Sequence, residues 1–552
     1  MSQTADLVLR RGKVLTVDPA FTVASAVAIR RGTIVAVGAD GDVVSMIGPE
    51  TTVIELDGAT VVPGINDAHL HGVGYGMTRP PMVLDLLHPS VMSIAEIVRA
   101  VGTAAETTPP GTWIRGRGWD QALLAECRAD RSRAPHRRDL DAVSPHHPVL
   151  LTDFSGHAAW VNTVAIATTG LGTRVATPPG GIIDTEDGEP TGIVREAAVA
   201  VFSEAIPAPS RAEQIDAIEA AVAECARRGI TSYTDPGLTA SEVDAYEALA
   251  AEGRLHARVT GLLLPQRPVG TAADFKDVLD NWPTPTGTNQ LRFRIAGVKI
   301  FADGIPPNRT SWMSEPYEDG GHGCLSTHGD TDDVRIAELH TMIEHAHRCG
   351  HQIGVHVTGD RAIDAVVAGF ITAQRDAPNA DPRHYIIHAD FLSRASMTLL
   401  SANGFGANMN PTIKWVIADA ENDVVGPERA GYEMPYRDAL AAGVTVTSGS
   451  DAPVTSPDWL QGISTMILRE ARGSGAVSGP DQRIDLEAAL RTYTINAAWQ
   501  DGAEGWKGSI ETGKVADLCV LDGDLLTADP HDIPHLTVRY TVLDGEIIYA
   551  QA

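Results

Sequence analysis

The sequence predicts an α/β protein in which eight parallel strands alternate with helices and close into a TIM-like (β/α)8 barrel. Apolar runs of strand length alternate with helical segments through the middle of the chain, as parallel βα units require. Eight such runs occur, the number of strands that a closed barrel of this kind needs. They lie at residues 60–71, 230–237, 256–264, 294–303, 352–358, 384–390, 404–410 and 444–451.

The length and composition describe a soluble globular protein with more than one structural unit. A chain of 552 residues exceeds what one hydrophobic core organises, so we expect two or three units. Hydrophobic residues at 43% and charged residues at 21% are typical of globular proteins. No run of eighteen apolar residues occurs, so no membrane span is expected. The N-terminal segment lacks the pattern of a secretory leader, so secretion is not expected either.

The net charge and the cysteines argue against several classes of protein. A formal charge of −28 repels phosphate backbones, which disfavours a nucleic-acid partner and indicates an acidic, solvated surface. The five cysteines are odd in number and widely spaced, and the chain contains no CxxC motif. Neither a disulfide scaffold nor a thiolate zinc site is therefore expected. These features are typical of a cytoplasmic protein.

Both ends of the chain are rich in short strands. Residues 5–60 contain three β-like segments separated by Gly and Asp-Gly turns. Residues 506–552 show the same pattern of short β-like segments and turns. The two ends either form one small β-sandwich together or form two unrelated hairpin clusters. We assign residues 1–60 and 506–552 to these β-rich ends and residues 61–505 to the barrel.

A long insertion separates the first two barrel strands. Roughly 150 residues lie between them, far more than one crossover helix needs. We place the insertion at about 75–210, a segment rich in Pro, Gly, Trp and His. Long loops at the active-site face of barrels carry function, so a lid or substrate-binding role is expected.

Two helices near the insertion have recognisable N-terminal signals. Ser93 and Glu96 form the S-x-x-E pattern of a capping box, and so do Ser210 and Glu213. Gly229 is expected to end the second of these helices, because glycine adopts the left-handed conformation that follows a helix C-terminus.

Six side chains that can bind a metal ion stand at the ends of the predicted strands. They are His69 and His71 in DAHLH, Lys299 in AGVKIFADG, His356 in GVHVTGD, His388 in YIIHAD and Asp451 in TSGSDAPV. Side chains alternate along a strand with period two, which places each candidate on the inward face of its strand. Barrel enzymes hold their chemistry at the C-terminal ends of strands. Imidazole and carboxylate suit zinc, whereas a protonated lysine would repel a cation.

The order and context of these motifs resemble the amidohydrolase superfamily. Within it the chain resembles the YtcJ-like branch, amidohydrolase family 3, which includes N-substituted formamide deformylases. The segments GVKIFADG, HVTGD, SGHAAWVN, WIRGRGWDQ and DGEPTGIVRE carry this resemblance over essentially the whole chain. It implies a metal-dependent hydrolase and favours one β-sandwich built from both termini. One departure is Val357, since the family often has a small residue after the histidine of strand five.

The resemblance also implies a role for each candidate ligand. His69, His71 and Asp451 would bind a buried metal ion, and His356 and His388 would bind an outer one. Lys299 would react with CO2 to form N6-carboxylysine, a carboxylate that bridges two metals. One or two divalent ions, most often zinc, are thus the expected cofactors.

The implied reaction is hydrolysis of a non-peptide amide, formamide-like or with another N-acyl C–N bond. A metal-activated hydroxide would attack the carbonyl, and Asp451 would carry the proton to the leaving nitrogen. The expected partners are a small-molecule acyl substrate and a second copy of the chain in a homodimer. No nucleic acid or membrane partner is expected.

Three alternative functions compete with this interpretation. An esterase or lactonase would use the same nucleophile on an activated carbonyl. One-metal deaminases of the superfamily typically carry a glutamate three residues after the histidine of strand five, where this chain has Gly359. A non-catalytic scaffold on this barrel would usually have lost ligands, whereas all six are present here.

A second group of residues is proposed to contact the substrate. Trp119, Asp120 and His157 come from the insertion, and Arg309 and Trp312 follow the fourth strand. Packing of the chain explains each of them equally well. A second HxH pair, His345 and His347, is rejected as a metal site because residues two apart on a helix do not face each other.

Overall fold

The computed structural model describes residues 4–154, 156–171, 176–178, 180–267, 270–282 and 289–551. The chain forms two compact units. One combines Met1–Gly72 with Val222–Ala552, and the other is Val73–Ala221. Within the described ranges, no helix combines the length and apolar character needed to cross a membrane.

The strands within these ranges are numbered in chain order. They are β1 (Leu7–Arg10), β2 (Lys13–Leu15), β3 (Val23–Ala24), β4 (Ala26–Arg30), β5 (Thr33–Gly38), β6 (Thr52–Glu55), β7 (Thr60–Pro63), β8 (Ile65–Asp67), β9 (Leu84–Asp85), β10 (Ile114–Trp119), β11 (Val149–Asp153), β12 (Ala158–Val161), β13 (Gly181–Glu186), β14 (Glu189–Glu196), β15 (Ile230–Leu238), β16 (Arg258–Leu263), β17 (Phe293–Phe301), β18 (Gln352–Val357), β19 (Tyr385–His388), β20 (Gly406–Met409), β21 (Thr445–Ser448), β22 (Leu518–Leu521), β23 (Val538–Leu543) and β24 (Glu546–Ala550).

The α-helices are numbered in the same way. They are α1 (Asp40–Val44), α2 (Gly72–Gly76), α3 (Ile94–Thr107), α4 (Ala125–Ala129), α5 (Arg137–Asp141), α6 (Thr163–Thr169), α7 (Ala197–Glu204), α8 (Arg211–Arg227), α9 (Ala240–Ala251), α10 (Ala272–Asp280), α11 (Asp332–Arg348), α12 (Asp360–Asp376), α13 (Arg394–Ala402), α14 (Pro411–Val425), α15 (Pro427–Tyr432), α16 (Tyr436–Ala441), α17 (Trp459–Leu468), α18 (Leu486–Thr492) and α19 (Ile495–Gln500).

The first unit contains the barrel. Its eight strands pair in parallel in the order β8-β15-β16-β17-β18-β19-β20-β21. Every residue of β16 and β19 is buried, as expected for parallel strands that are covered on both faces. Beyond β8 and β21, Leu70 pairs with Ala452, and Asp451 donates from its backbone N–H to the carbonyl of His69 at 2.7 Å. The predicted barrel is confirmed.

Two further sheets are built from the chain termini. One has the order β5-β4-β1-β6, and the other has the order β24-β23-β22-β7-β2-β3. In the second, C-terminal β22 pairs with N-terminal β7, and Cys519 lies opposite Val62. Leu9, Val27 and Leu518 belong to one buried core that both ends of the chain supply. The composite β-sandwich is confirmed, and the alternative of two unrelated hairpins is wrong.

The second unit, inserted between β8 and β15, has a sheet of its own in the order β13-β14-β12-β11-β10-β9. Its core includes Trp119 and Trp160, whose rings lie 6.1 Å apart. At the start of α3, the hydroxyl of Ser93 accepts a hydrogen bond from the backbone N–H of Glu96 at 3.1 Å. That contact is one of the two that the capping-box pattern predicts, whereas the carboxylate of Glu96 accepts from the backbone N–H of Met92 at 2.7 Å.

Candidate metal centre

Three barrel strands and the segments that follow two others carry the predicted ligands. His69 and His71 follow β8, and Asp451 follows β21. Lys299 lies in β17, His356 in β18, and His388 is the last residue of β19. Because parallel strands end at one rim of a barrel, these side chains meet there. Five of the six are buried, and His71 keeps 33% of its side chain exposed.

Asp451 lies at the centre of the site. Its Oδ1 is 3.2 Å from Nε2 of His69 and 3.3 Å from Nε2 of His71. The backbone φ of Asp451 is +56°, and that of His388 is +73°. Left-handed backbone is uncommon for residues other than glycine and costs conformational energy, and such strain concentrates at functional sites.

The imidazoles form a continuous row around this carboxylate. Ring centroids are separated by 5.2 Å between His69 and His71, and by 5.1 Å between His69 and His388. The row continues to His356, whose centroid is 4.6 Å from that of His388. The ligand atoms of His69, His388 and Asp451 all lie within 4.8 Å of one another, close enough for a single ion.

Lys299 is buried beside this row. Its Nζ lies 4.9 Å from the ring centroid of Phe301, and that ring is 5.3 Å from the ring of His356. Burial lowers the pKa of Lys299 to about 7, although the charge of Asp451 acts in the opposite direction. A substantial fraction of this amine is therefore neutral near pH 7.

Hydrogen bonds to neighbouring groups orient two of the imidazoles. His388 donates from Nδ1 to Oδ1 of Asn410 at 2.7 Å. His356 donates from Nε2 to the carbonyl of Gly304 at 3.0 Å. Each bond fixes which ring nitrogen keeps its lone pair, as second partners of metal-binding histidines do. Sequence reasoning missed Asn410, although this polar residue ends the predicted strand 404–410.

Two further buried carboxylates accept hydrogen bonds from the backbone of the loops around the site. Oδ1 of Asp67 accepts the backbone N–H of Ser450 at 2.9 Å and that of His69 at 3.2 Å. Asp303 accepts the backbone N–H groups of Trp312, Thr358 and Gly359, at 2.9, 3.0 and 2.9 Å. Burial raises the pKa of Asp303 to about 7 and that of Asp67 to about 7.

The protonation states of three of the four imidazoles suit a cation, whereas at His71 the effect of burial is outweighed by the hydrogen bond to Asp451 and its charge, which raise the pKa of that ring. Burial, followed by the charge of Lys299, lowers the pKa of His69 to about 3 and that of His356 to about 4. Burial and the charge of His356 hold the pKa of His388 well below its usual value. These rings are therefore neutral near pH 7, the form in which imidazole binds metals.

Asp451 supplies the negative charge of the set. Burial acts to raise its pKa, but the adjoining imidazole of His69 and hydrogen bonds from His69 and His71 hold it well below its usual value. Nδ1 of His69 is buried and has no hydrogen-bond partner among the described residues. Neutral imidazoles, one ionised carboxylate and an unpartnered buried nitrogen fit a divalent metal ion.

The predicted substrate contacts lie in both units. In the inserted unit, Trp119 is a core residue that donates from Nε1 to the carbonyl of Leu151 at 2.9 Å. Also there, His157 is exposed and contacts Glu196 at 3.0 Å, and Asp120 Oδ1 accepts the backbone N–H of Ala122 at 2.8 Å.

The other two candidates belong to the barrel unit. Arg309 forms an exposed ion pair with Asp319 at 2.7 Å. Trp312 is buried, and the guanidinium of Arg361 lies 4.2 Å from the centroid of its ring. The substrate roles of all five residues stay predictions.

Known proteins resemble this chain over nearly its whole length. The family described as "Amidohydrolase family" matches residues 52–549. The N-substituted formamide deformylase of Arthrobacter pascens is 28% identical over 561 residues, covering 100% of this chain and 99% of that protein. The putative amidohydrolase YtcJ of Bacillus subtilis (strain 168) is 28% identical over 520 residues, covering 91% of this chain and 92% of that one.

A solved structure shares the fold. The crystal structure of an uncharacterized metal-dependent hydrolase from Pyrococcus furiosus matches with a TM-score of 0.70 at 26% identity. The match covers 95% of this chain and 99% of that one. With the family match spanning residues 52–549, which include the inserted unit and the barrel, the chain belongs to the amidohydrolase family, in its family 3 branch, and is a metal-dependent hydrolase that acts on carbon–nitrogen bonds.

Proposed function

We propose that this protein hydrolyses a small non-peptide amide, formamide-like or with another N-acyl C–N bond. The observation that carries the proposal is the convergence of Asp451 with His69 and His71 at one rim of the barrel. The full-length similarity to an N-substituted formamide deformylase supports the choice of substrate class. In this chain Gly359 occupies the place of the glutamate typical of one-metal deaminases, which disfavours deamination.

His69, His71 and Asp451 would hold one divalent ion, and His356 and His388 would hold a second. Zinc suits this set of imidazole and carboxylate donors. The chemistry supplied by such an ion is acidification of a water molecule and polarisation of a carbonyl oxygen. The neutral rings of His69 and His356 need lose no proton before they bind it.

Asp451 is the group to which we assign proton transfer. Both imidazole contacts fall on its Oδ1, so we assign Oδ2 to accept the proton of the attacking water. The same oxygen then delivers that proton to the nitrogen of the leaving amine, because an amine leaves far more readily once protonated. The buried position of Asp451 keeps bulk water from competing for this proton.

Lys299 is proposed to become N6-carboxylysine. Its neutral amine attacks CO2, a C–N bond forms, and the proton released from nitrogen passes to solvent. The low pKa of this buried amine supports the reaction, since only the unprotonated form has a lone pair. Protein incubated with 13C-labelled bicarbonate should show a carbamate signal that disappears in Lys299→Met. Absence of the signal in the wild type would contradict the modification.

The function is tested with a substrate panel. Protein loaded with zinc, manganese or iron is assayed against N-formyl amines, N-acyl amino acids, cyclic ureas and aryl esters. We expect release of an amine from at least one N-acyl class, abolished by a chelator and restored by metal. Turnover of the esters alone, or hydrolysis that survives complete removal of metal, would contradict the proposal.

A further inference from the structure

A second group of metal-binding side chains lies at the surface of the barrel unit. Asp280 is the last residue of α10, and His345 and Cys349 lie at the C-terminal end of α11. Nε2 of His345 is 2.7 Å from Oδ1 of Asp280 and 3.8 Å from Sγ of Cys349. The three ligand atoms all lie within 4.8 Å of one another.

Helix geometry explains why these side chains meet. His345 and Cys349 are four residues apart, so they lie on one face of α11. His347 points elsewhere, because its Nδ1 is 2.8 Å from Nε2 of buried His384 and its Nε2 donates to the carbonyl of Ala377 at 2.6 Å. The rejected HxH pair thus stays divided, and His345 lies beside Cys349 of the same helix end and Asp280 of α10.

We propose that Asp280, His345 and Cys349 bind a divalent cation of the zinc type, with water as the fourth ligand. Carboxylate, imidazole and thiolate are all established zinc donors, and three protein ligands plus water make a complete tetrahedral set. The C-terminal ends of α10 and α11 also favour a cation, because helix C-termini carry partial negative charge. The bound ion ties the ends of these two helices together.

Binding requires one proton transfer and one small movement. Burial and the charge of Asp280 raise the pKa of Cys349, so the free protein carries a thiol there. A bond forms between sulfur and the ion, the S–H bond breaks, and the proton passes to solvent. Oδ1 of Asp280 must also move away from His345, because two ligands of a tetrahedral zinc ion lie about 3.4 Å apart. The Asp280 side chain is 54% exposed and is free to do so.

This surface site differs chemically from the metal centre in the barrel. The barrel set contains imidazoles, a carboxylate and a lysine, whereas Cys349 adds sulfur to the surface set. Cobalt(II) replaces zinc in such sites and gives a near-ultraviolet thiolate-to-cobalt absorption only where cysteine binds it. That band therefore excludes a signal from the barrel site, whatever ion it holds, because no cysteine is among the barrel ligands.

The test is a cobalt titration of tag-free protein whose barrel site is first filled with zinc. The thiolate-to-cobalt band should develop in the wild type and be absent in Cys349→Ser. Cys324→Ser is the matched control, since Cys324 is also an exposed free cysteine, and it should retain the band. His345→Gln should bind cobalt about tenfold more weakly, or about 1.4 kcal/mol.

Three outcomes would overturn the proposal. The band could fail to develop in the wild type at a large excess of cobalt, persist in Cys349→Ser, or be lost in Cys324→Ser. Circular dichroism of each variant separates a lost site from a lost fold. The absorption measurement does not depend on hydrolytic activity. It therefore tests the surface metal site independently of the proposed reaction.

Discussion

Asn410 fixes the tautomer of His388. The amide Nδ2 of Asn410 donates to the carbonyl of Gly449 at 3.0 Å, which turns its Oδ1 toward the imidazole. His388 then donates from Nδ1 to that oxygen at 2.7 Å. The lone pair of His388 consequently stays on Nε2, the nitrogen that can bind a metal ion.

Asn410→Ala should weaken metal binding without removing any proposed ligand. The free imidazole of His388 can then change tautomer and rotate, and losses of about 10- to 100-fold in affinity follow removal of such partners. Competition with a chromogenic chelator measures the change. Asn408→Ala is the matched control, since Asn408 is equally buried but donates to Thr447 at 3.1 Å. An equal loss of affinity in both variants would remove the tautomer explanation.

Asp451→Asn separates metal binding from proton transfer. The amide oxygen can still accept from the imidazoles and bind an ion, but an amide cannot take up a proton near neutral pH. We expect much of the metal to remain while turnover falls by about 10²- to 10⁴-fold. Elemental analysis and single-substrate kinetics on one preparation test both parts. A fully active, metal-loaded variant would show that the proton takes another route.

The barrel and the strand-end positions of the six candidate ligands could be predicted from the sequence. Each of His356, His388 and Asp451 is a polar residue that ends an apolar run, and such a signal is local in the chain. The same signal is present at Asn410, but an amide side chain is seldom a metal ligand, so the sequence alone does not mark this residue as part of the site. Whether the six side chains bind metal stays a prediction.

Other features could not be predicted because they depend on distant contacts. The sheet of the inserted unit includes β13, whose residues are mostly exposed or half-buried and so show no clear apolar pattern. The surface cluster joins Asp280 to His345, which lie 65 residues apart, and no sequence pattern links the two. Periodicity reports which face of an element is buried, but it does not report which elements become neighbours.

A buried cluster beside α14 contains more acid than base. Glu421 and Glu433 are fully buried, and Glu433 accepts from Nζ of Lys414 at 2.6 Å. The oxygens of Glu421 have no hydrogen-bond partner among the described residues. Burial and the charges of Glu433 and Asp390 raise the pKa of Glu421 well above its usual value, while Lys414 acts to lower it. Burial and the surplus of acid therefore favour the protonated form of Glu421 in the folded protein.

Glu421→Gln should become more stable than the wild type as the pH rises. The unfolded chain releases this proton at about pH 4.3, so above that value folding must take up a proton that the variant does not need. The wild type loses up to about 1.4 kcal/mol of relative stability per pH unit until the raised pKa is passed. Urea unfolding at several pH values measures the difference. Parallel pH dependences of the two proteins would contradict a protonated Glu421.

Glu433→Gln serves as the contrast within the same cluster. It removes the carboxylate that Lys414 contacts and leaves a buried ammonium without its partner. Breaking a buried ion pair costs about 3–5 kcal/mol, so this variant should be less stable than the wild type at pH 7. Both substitutions replace Glu by Gln. Opposite effects on the unfolding free energy would therefore reflect the different protonation states of Glu421 and Glu433.

Arg258 joins the barrel to the sheet built from both termini. Its Nε donates to Oδ2 of Asp517 at 2.6 Å, its Nη2 donates to Oδ1 at 3.0 Å, and both side chains are buried.

Arg258→Met leaves a buried carboxylate without a counter-charge and should cost about 3–5 kcal/mol of unfolding free energy. Arg258→Lys keeps the charge but loses the bidentate contact. Its unfolding free energy should therefore lie between those of Arg258→Met and the wild type. Arg254→Met, at an ion pair exposed on both sides, is the control and should change the urea midpoint little. If Arg258→Met unfolds at the same urea concentration as Arg254→Met, the contact with Asp517 does not hold the barrel and the terminal sheet together.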